Sequence, residues 1–319
     1  MKLVILDGGN IITQLPWRQK IEGHRITDID YYDETPAELA FDRIRGAQLV
    51  LTNKVVISAS MMERLPELKY IGVMATGYNV VDVKAASRLG IVVTNIPSYS
   101  TDSVAQHAWA LVLCIYNRVE YYSEQNRNGR WCRNSTFSYS DFITHELAGQ
   151  TMGIVGLGNI GMKMARIALS FGMKVLAVTS KPQISLPDGI VSAPFDVLLS
   201  KSDIVSLHCP LTENTKELIN RDTLSKMKNG AVLVNTGRGG LVNESDLANA
   251  LNCGRIAAYG ADVLSVEPAA QDNPLIGALN CYLTPHIAWS SMEARSRLID
   301  ICKDNISAFL DGRPVNVVS

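Results

Sequence analysis

Three polar residues, each shortly after a run of Val, Ile, Leu or Ala, are the strongest candidates for chemistry. Arg238 stands in NTGRGG, Glu267 in ADVLSVEP and His286 in LTPHIAW. An imidazole can give or take a proton near pH 7, and a carboxylate close to it favours the charged ring and fixes its orientation. An arginine stays charged and offers planar donors to a carboxylate or carbonyl oxygen. Together these residues could polarise and protonate a small anionic substrate.

Each of the three also has an ordinary structural interpretation. His286 could be a loop histidine whose nitrogens bond backbone groups, and Glu267 could be a solvated loop charge. Arg238 could lie in an exposed turn among glycines. Their common placement at strand ends favours the functional interpretation, because the carboxyl ends of parallel strands form the ligand crevice of α/β sheets.

A glycine-rich loop earlier in the chain predicts a dinucleotide site. Gly156, Gly158 and Gly161 form a G-x-G-x-x-G pattern between a predicted strand and a predicted helix. The first glycine allows a tight turn, the second lets a pyrophosphate approach the backbone, and the third lets the helix pack closely on the strand. A glycine turn without a ligand is the alternative, but the flanking strand and helix favour nucleotide binding.

The residues after the next strand leave the choice of coenzyme open. In many NAD-binding sheets this strand ends in Asp or Glu, which bonds the ribose 2′-hydroxyl. Here the chain reads Thr179, Ser180 and Lys181. Two hydroxyls and a cation suit the 2′-phosphate of NADP(H), so NAD(H) and NADP(H) are both candidates.

The surrounding pattern predicts an α/β fold with two doubly wound parallel sheets, a flavodoxin-like one followed by a Rossmann one. At roughly 150 residues per domain, 319 residues correspond to about two domains. Short Val, Ile and Leu runs alternate with helical segments, and a second series starts at TMGIVGLGNIG. The pattern also predicts a long helix over 104–122, an irregular arm up to 146, and a terminal helix with Ser290 and Glu293 at capping-box spacing.

The composition excludes several classes of protein. The formal net charge is −1, which provides no basic field for nucleic acid or an anionic membrane surface. No apolar run approaches the ~20 residues that cross a bilayer, and the N-terminus does not resemble a signal peptide. The 6 cysteines are far apart, without zinc-like or disulfide-rich spacing. We therefore expect a cytoplasmic protein with reduced thiols and no metal.

Together the motifs resemble the D-isomer-specific 2-hydroxyacid dehydrogenase family, and within it most closely the glycerate dehydrogenases, or hydroxypyruvate reductases. The resemblance covers nearly the whole chain and includes ATGYNVVD, NIPSYSTDSVAQHA, GLGNIG and HCPLTENT besides the arginine, glutamate and histidine segments. It implies NAD(P)H-dependent reduction of a small 2-keto acid, with hydroxypyruvate as the main substrate and glyoxylate as the second. His286 would donate the proton, Glu267 would orient the ring, and Arg238 would bind the substrate.

The resemblance also implies how the chain is divided and what else touches the ligands. A substrate domain, 1–99 plus 288–319, and a coenzyme domain, 100–287, would enclose the site in a cleft that closes about hinges near 98–100 and 287–290. Backbone N–H groups of Thr76, Gly77 and Tyr78 would hold the substrate carboxylate, unless this is an ordinary turn. Beyond the glycine loop, Thr179 and Ser180, the implied coenzyme contacts are Asn159, Ile160, His208, Pro210, Thr215, Thr236, Gly237, Arg238 and Asp262. Asp262 would face the nicotinamide carboxamide, whereas His208 could equally be a core histidine.

In this family the segment corresponding to residues 100–145 pairs two subunits, so a homodimer is implied. This segment contains Trp109, Tyr116, Tyr121, Tyr122 and Trp131, aromatic residues of the kind that interfaces favour. Core packing is the alternative for all of them. Trp131 is the candidate to reach the active site of the partner subunit.

Two related functions remain as alternatives, and a third is disfavoured. A phosphoglycerate dehydrogenase often carries an appended regulatory domain, for which the chain leaves no room after its last helix. A coenzyme-sensing corepressor of this family can keep the fold and the same three residues without significant turnover. A formate dehydrogenase is disfavoured, because that subgroup has Gln where Glu267 stands.

Overall fold

The computed structural model describes residues 1–12, 15–21 and 25–319 and contains two compact units. The first unit combines Met1–Ser100 with Ser290–Ser319, and the second is Thr101–Trp289. The first unit is therefore discontinuous in sequence, because the last segment of the chain packs with the first.

Within the described residues, twelve strands form the two sheets. In the first unit they are β1 (Lys2–Ile5), β2 (Asp28–Tyr31), β3 (Leu49–Thr52), β4 (Tyr70–Val73) and β5 (Val92–Thr94). In the second unit they are β6 (Thr151–Val155), β7 (Lys174–Val178), β8 (Ile190–Ser192), β9 (Ile204–Leu207), β10 (Ala231–Asn235), β11 (Ile256–Ala261) and β12 (Cys281–Leu283).

Helices connect the strands in both units. The first unit contains α1 (Gly9–Ile12), α2 (Trp17–Ile21), α3 (Ala37–Ile44), α4 (Ala59–Met62) and α5 (Val83–Arg88). The second contains α6 (Thr101–Asn117), α7 (Val119–Arg127), α8 (Asn159–Ser170), α9 (Phe195–Lys201), α10 (Arg221–Lys226) and α11 (Glu244–Asn252), and α12 (Met292–Leu310) returns to the first unit. Among the residues described, none of these helices is both long and apolar enough to span a bilayer.

The first sheet is parallel throughout, in the order β2-β1-β3-β4-β5. Val4, Val50, Ile71 and Val93 are register partners across it, and all four are 0% exposed. Strands of this kind lack polar alternation because helices cover both faces of the sheet. The order is that of flavodoxin-like folds, which confirms the prediction for this unit.

The second sheet has the order β12-β11-β10-β9-β6-β7-β8, again with parallel pairs. The strand order reverses at β6, which pairs with both β7 and β9. Counted from β6, this arrangement is the Rossmann order with one added edge strand, so the predicted fold class is confirmed. Ligands of such sheets bind beyond the carboxyl ends of the strands at the point of reversal.

The predicted long helix is interrupted at Arg118, so the prediction of one helix over 104–122 is wrong. Arg118 has a left-handed backbone, φ +51°, which ends α6 at Asn117 and lets α7 start at Val119. The Arg118 guanidinium donates to Asn280 Oδ1 at 3.3 Å and lies 4.9 Å from the Phe142 ring centre. These tertiary contacts accompany the break and are not visible in the local sequence.

The terminal helix has a different cap from the predicted one. Ser291 is its N-cap, and Ser291 Oγ accepts the Ala294 N–H at 3.2 Å. The expected capping box between Ser290 and Glu293 is therefore wrong. Relative to Ser291, Glu293 is one position short of the N3 site that a box requires.

Candidate active site

The glycine loop connects β6 to α8, where the second sheet reverses its strand order. Gly156 has φ +95°, and a Cβ there would lie 2.6 Å from the backbone nitrogen of Cys209. A Cβ on Gly161 would collide with the Gly156 carbonyl oxygen, whereas a Cβ on Gly158 would meet nothing within 4 Å. Packing within the protein thus accounts for the first and third glycines, and the second faces open space.

Thr179 and Ser180 lie directly after β7, next to the glycine loop. The Gly156 N–H donates to the Val178 carbonyl at 3.0 Å, which ties the loop to this strand end. Thr179 Oγ1 accepts the Lys181 N–H at 3.1 Å, and Ser180 and Lys181 are exposed. The end of β7 therefore offers hydroxyl groups and an ammonium group.

His208, Pro210 and Thr215 belong to the segment after β9. The His208 N–H donates to the Val155 carbonyl at 2.7 Å, beside the start of the glycine loop. Its Nε2 is 2.8 Å from Ser206 Oγ, and desolvation of the partly buried ring lowers the pKa of His208 to about 4. Thr215 Oγ1 donates to the Pro210 carbonyl at 2.7 Å and closes the next turn. His208 is therefore neutral at pH 7.

Thr236, Gly237 and Arg238 follow β10, the neighbour of β9. Thr236 is 8% exposed, and its hydroxyl has no hydrogen-bond partner within the part of the chain that the structure describes. Arg238 is exposed, with an extended backbone at φ −142° and ψ 135°. Its Nη1 donates to the Gly237 carbonyl at 2.8 Å. The guanidinium thus lies at the carboxyl edge of the sheet, where it can bind an anion.

The structure brings the side chains of His286 and Glu267 together. His286 Nδ1 lies 2.6 Å from Glu267 Oε2, and Glu267 Oε1 accepts the Leu264 N–H at 3.1 Å. The two side chains are 30% and 33% exposed, so a ligand can reach them. When Nδ1–H donates to the carboxylate, Nε2 is the ring nitrogen that can exchange a proton with a ligand. This geometry suits general acid–base chemistry.

Asp262 fixes the backbone that carries His286. His286 has φ +56°, a left-handed conformation that is uncommon for residues other than glycine. Its N–H donates to the Asp262 carbonyl at 2.9 Å. The Asp262 carboxylate is buried and accepts the N–H groups of Ile287 at 2.9 Å and Ala288 at 2.7 Å. The sequence did not indicate this contribution, and contact between Asp262 and the nicotinamide stays a prediction.

Thr76, Gly77 and Tyr78 lie in the first unit, shortly after β4. Thr76 Oγ1 donates to the Ile96 carbonyl at 2.9 Å, and Asn95 Nδ2 donates to the Thr76 carbonyl at 2.8 Å. Tyr78 is 39% exposed. The segment after β5 thus fixes this loop while its residues stay accessible. Carboxylate binding by its backbone N–H groups stays a prediction.

Two tryptophans of the segment expected to pair subunits have different surroundings. Trp109 is 4% exposed, and its ring centre lies 4.9 Å from that of Phe171. Trp131 is 52% exposed in a single 3-10 turn, and its Nε1 donates to the Phe137 carbonyl at 2.9 Å. Core packing therefore accounts for Trp109, and an interface contact of Trp131 stays a prediction.

Sequence reasoning missed Glu244, which fixes the segment just before Glu267. Its carboxylate accepts the N–H and the hydroxyl of Ser265, both at 2.7 Å, and Asn273 Nδ2 at 2.8 Å. The same segment packs on Gly239, where any Cβ would overlap backbone atoms of residues 264 and 265. In the sequence, an acidic residue in a first helical turn reads as ordinary compensation of the helix dipole, so no local signal reveals this contact.

Two features of the second unit fit a bound dinucleotide. Gly158 leaves open space at the N-terminus of α8, the end of a helix at which backbone N–H groups can bind a phosphate. The buried Thr236 hydroxyl is unpaired within the described residues and can bond a ligand. Within residues 1–12, 15–21 and 25–319, the chain contains no group of three or more His, Cys, Asp or Glu side chains suited to a metal ion.

Comparisons with known proteins agree with this site. The family model "D-isomer specific 2-hydroxyacid dehydrogenase, NAD binding domain" matches residues 109–288. A hydroxypyruvate reductase of Blautia hydrogenotrophica is 42% identical over 321 residues, covering 100% of both chains. A glycerate dehydrogenase of Methylorubrum extorquens is 42% identical over 286 residues, or 89% of each chain. The solved structure of an acyclic imino acid reductase (Bsp5) with NADPH and D-Arg is 34% identical, covers 100% of both chains and has a TM-score of 0.87.

Two parallel α/β units, a dinucleotide loop and a histidine–carboxylate pair define a nicotinamide-dependent oxidoreductase. The chain belongs to the D-isomer-specific 2-hydroxyacid dehydrogenase family. The resemblance inferred from the motifs is thereby confirmed, and the second unit is the nicotinamide-coenzyme-binding unit of the enzyme.

Proposed function

We propose that the enzyme reduces hydroxypyruvate to D-glycerate, with glyoxylate as a second substrate. The observation that carries this proposal is the 2.6 Å contact between His286 Nδ1 and Glu267 Oε2 at the carboxyl edge of the second sheet. The names of the two relatives at 42% identity support the choice of substrate.

In this proposal each residue has a separate role in binding and reducing a 2-keto acid. His286 Nε2 donates a proton to the carbonyl oxygen as negative charge develops there, and Glu267 holds the ring and stabilises its charged form. Arg238 binds the substrate carboxylate or 2-oxo group and polarises the carbonyl. Backbone N–H groups of Thr76–Tyr78 in the first unit assist in binding the carboxylate. A reduced nicotinamide, when bound, supplies the hydride.

We propose that NADPH is accepted as well as NADH, because the end of β7 supplies hydroxyls and the Lys181 ammonium. A carboxylate at position 179 would repel a 2′-phosphate and bond the ribose hydroxyls. Thr179→Asp is therefore expected to lower kcat/KM for NADPH relative to NADH by about tenfold or more. Thr179→Asn, without the charge, is the matched control. If the ratio of kcat/KM for NADPH to kcat/KM for NADH were equal in both variants, the proposal would be contradicted.

Initial rates with each coenzyme test the substrate assignment. Hydroxypyruvate is expected to give the highest kcat/KM, glyoxylate a lower value, and pyruvate and phosphohydroxypyruvate lower values still. Preference for phosphohydroxypyruvate would instead identify a phosphoglycerate dehydrogenase. Protein that binds coenzyme but oxidises no NAD(P)H with any of the four acids would be a coenzyme-sensing binding protein, and the proposal would be wrong.

A further inference from the structure

A buried asparagine lies directly below the segment that carries Arg238. Asn235 is the last residue of β10 and is 0% exposed. A buried amide is costly unless its donors and acceptor are paired. Asn235 Oδ1 accepts the Gly237 N–H at 3.0 Å, and Asn235 Nδ2 donates to the Arg238 carbonyl at 2.9 Å. Both ends of the amide therefore bond the segment that follows the strand.

These two bonds hold the dipeptide Gly237–Arg238 at its first N–H and at its last carbonyl. The bond from Gly237 closes an Asx-turn, which directs the chain out of the strand. Between the two points Arg238 has an extended backbone, at φ −142° and ψ 135°. The direction in which the exposed guanidinium leaves the backbone is thus set by the Asn235 side chain.

Asn235 is itself fixed by the next strand, β11. The phenol of Tyr259, 1% exposed, interacts with the Asn235 side chain, and burial raises the pKa of Tyr259. The Asn235 carbonyl accepts the Asp262 N–H at 3.1 Å. The strand therefore provides a rigid support below Arg238, which is itself exposed.

We propose that Asn235 is a positioning residue for Arg238, and that it determines how well the enzyme binds the carboxylate of a 2-keto acid without touching it. The inference rests on the function proposed above. It assigns different tasks to the surroundings of one amide: the bonds to residues 237 and 238 serve substrate binding, and the interaction with Tyr259 serves the core.

Asn235→Ser shortens the side chain so that it no longer reaches the Arg238 carbonyl. Tyr259→Phe, which removes only the phenol hydroxyl that interacts with Asn235, is the matched control. In Asn235→Ser, we expect KM for hydroxypyruvate and the Kd of oxalate on the NADH-loaded enzyme to rise on the order of 10–100-fold. The Kd of NADH, measured by fluorescence, should rise much less than the Kd of oxalate, because the glycine loop is untouched. Tyr259→Phe should leave KM for hydroxypyruvate and the Kd of oxalate near the values of the parent enzyme. Asn235→Asp, which keeps the shape and the acceptor for Gly237, provides a second variant should the serine variant fold poorly.

A double-mutant cycle separates positioning from general damage. If Asn235 acts through Arg238, then the double variant Asn235→Ser/Arg238→Lys should bind oxalate less than about threefold more weakly than Arg238→Lys alone. Effects that multiply in the double variant, or an equal loss of NADH affinity, would overturn the inference. Parent enzyme that reduces keto acids while both Asn235 variants match it would overturn this inference alone. Parent enzyme that reduces none would overturn the proposed function instead.

Discussion

The imidazole of His286 is fixed through its ring by Glu267 and through its backbone by Asp262. A left-handed backbone at a non-glycine residue costs of the order of 1–3 kcal/mol and persists only where neighbouring contacts fix it. Here three consecutive N–H groups, of residues 286–288, bond one buried aspartate. The strain is thus coupled to the orientation of the ring that faces Glu267.

Glu267→Gln tests the importance of the carboxylate charge. The amide keeps the size of the side chain but cannot stabilise a charged imidazole, so kcat for hydroxypyruvate should fall on the order of 10²–10⁴-fold. The Kd of NADH should change little. Glu63→Gln, an exposed glutamate of the first unit, is the control. A kcat within threefold of the parent value would show that Glu267 is only a loop residue.

His208 predicts a stability that depends on pH. Its pKa is lowered to about 4 in the folded protein, whereas an unfolded histidine titrates near ~6.5. As pH falls, the unfolded chain therefore takes up a proton at this residue before the folded protein does. The free energy of unfolding should fall by about 3 kcal/mol between pH 7 and pH 4 because of this group. His208→Gln should flatten this part of the pH dependence in urea unfolding. The exposed His145→Gln should not.

At the scale of elements, a glycine allows the segments after β10 and β11 to pack closely against each other. Gly239 has no room for a Cβ beside the backbone of residues 264 and 265, which lead to Glu267. A Cβ on Gly240 would meet only the flexible side chain of Leu211, whose Cδ2 would lie 3.0 Å away. Gly239→Ala should therefore displace the Glu267 segment and lower kcat/KM on the order of 100-fold, while Gly240→Ala should be nearly neutral.

Coenzyme binding distinguishes this displacement from unfolding. Both glycine variants should still bind NADH, because the glycine loop at 156–161 lies at another strand end. Loss of NADH binding in Gly239→Ala would show that the contact maintains the whole sheet.

Strand runs and the glycine loop could be predicted because their signals are local. Val4, Val50 and Val93 lie in apolar runs that only a doubly covered sheet can bury. The strands β2 and β8 were not recognised, since each is a short edge strand with polar residues. The break at Arg118 is accompanied by contacts with Asn280 and Phe142, which no local pattern contains.

In the site too, features with a local sequence signal could be predicted, whereas those that depend on distant contacts could not. Sequence patterns identified Arg238, Glu267 and His286, and the structure brings the last two into contact. The residues that hold their backbones, Asn235 and Glu244, were missed. Their partners lie 2 to 29 residues away along the chain and are bonded through side-chain oxygens and amides.

At the scale of the molecule, the two units should differ in whether they fold alone. The second unit is one continuous segment, Thr101–Trp289. The first unit needs α12, in which Leu298, Ile299 and Ile306 are at most 3% exposed. Burial of three such side chains contributes about 5–9 kcal/mol, comparable to the total stability of a domain.

A fragment of residues 101–289 is accordingly expected to show a cooperative melt and NADH binding. A fragment of residues 1–100 should show neither a cooperative melt nor dispersed amide resonances. Joining residues 290–319 to it through a glycine-rich linker should restore the melt. A stable fragment 1–100 would contradict the dependence on α12.

We further propose that residues 100–145 pair two copies of the chain, with Trp131 reaching the active site of the partner. Light scattering should report a dimer, and Trp131→Ala should raise KM for hydroxypyruvate in a protein that remains dimeric. Phe137→Ala, at another highly exposed side chain of the same segment, is the control. An unchanged KM in Trp131→Ala would exclude this contribution.

The return of the last helix to the first sheet has a consequence for biosynthesis. The ribosome releases β1–β5 first, but the helix carrying Leu298 and Phe309, whose ring lies 4.9 Å from that of Tyr70, emerges last. At ~5–20 residues per second, translation of the intervening unit leaves this apolar surface uncovered for roughly 10–40 s. A nascent chain in that interval presents a binding surface for chaperones, which the completed protein no longer exposes.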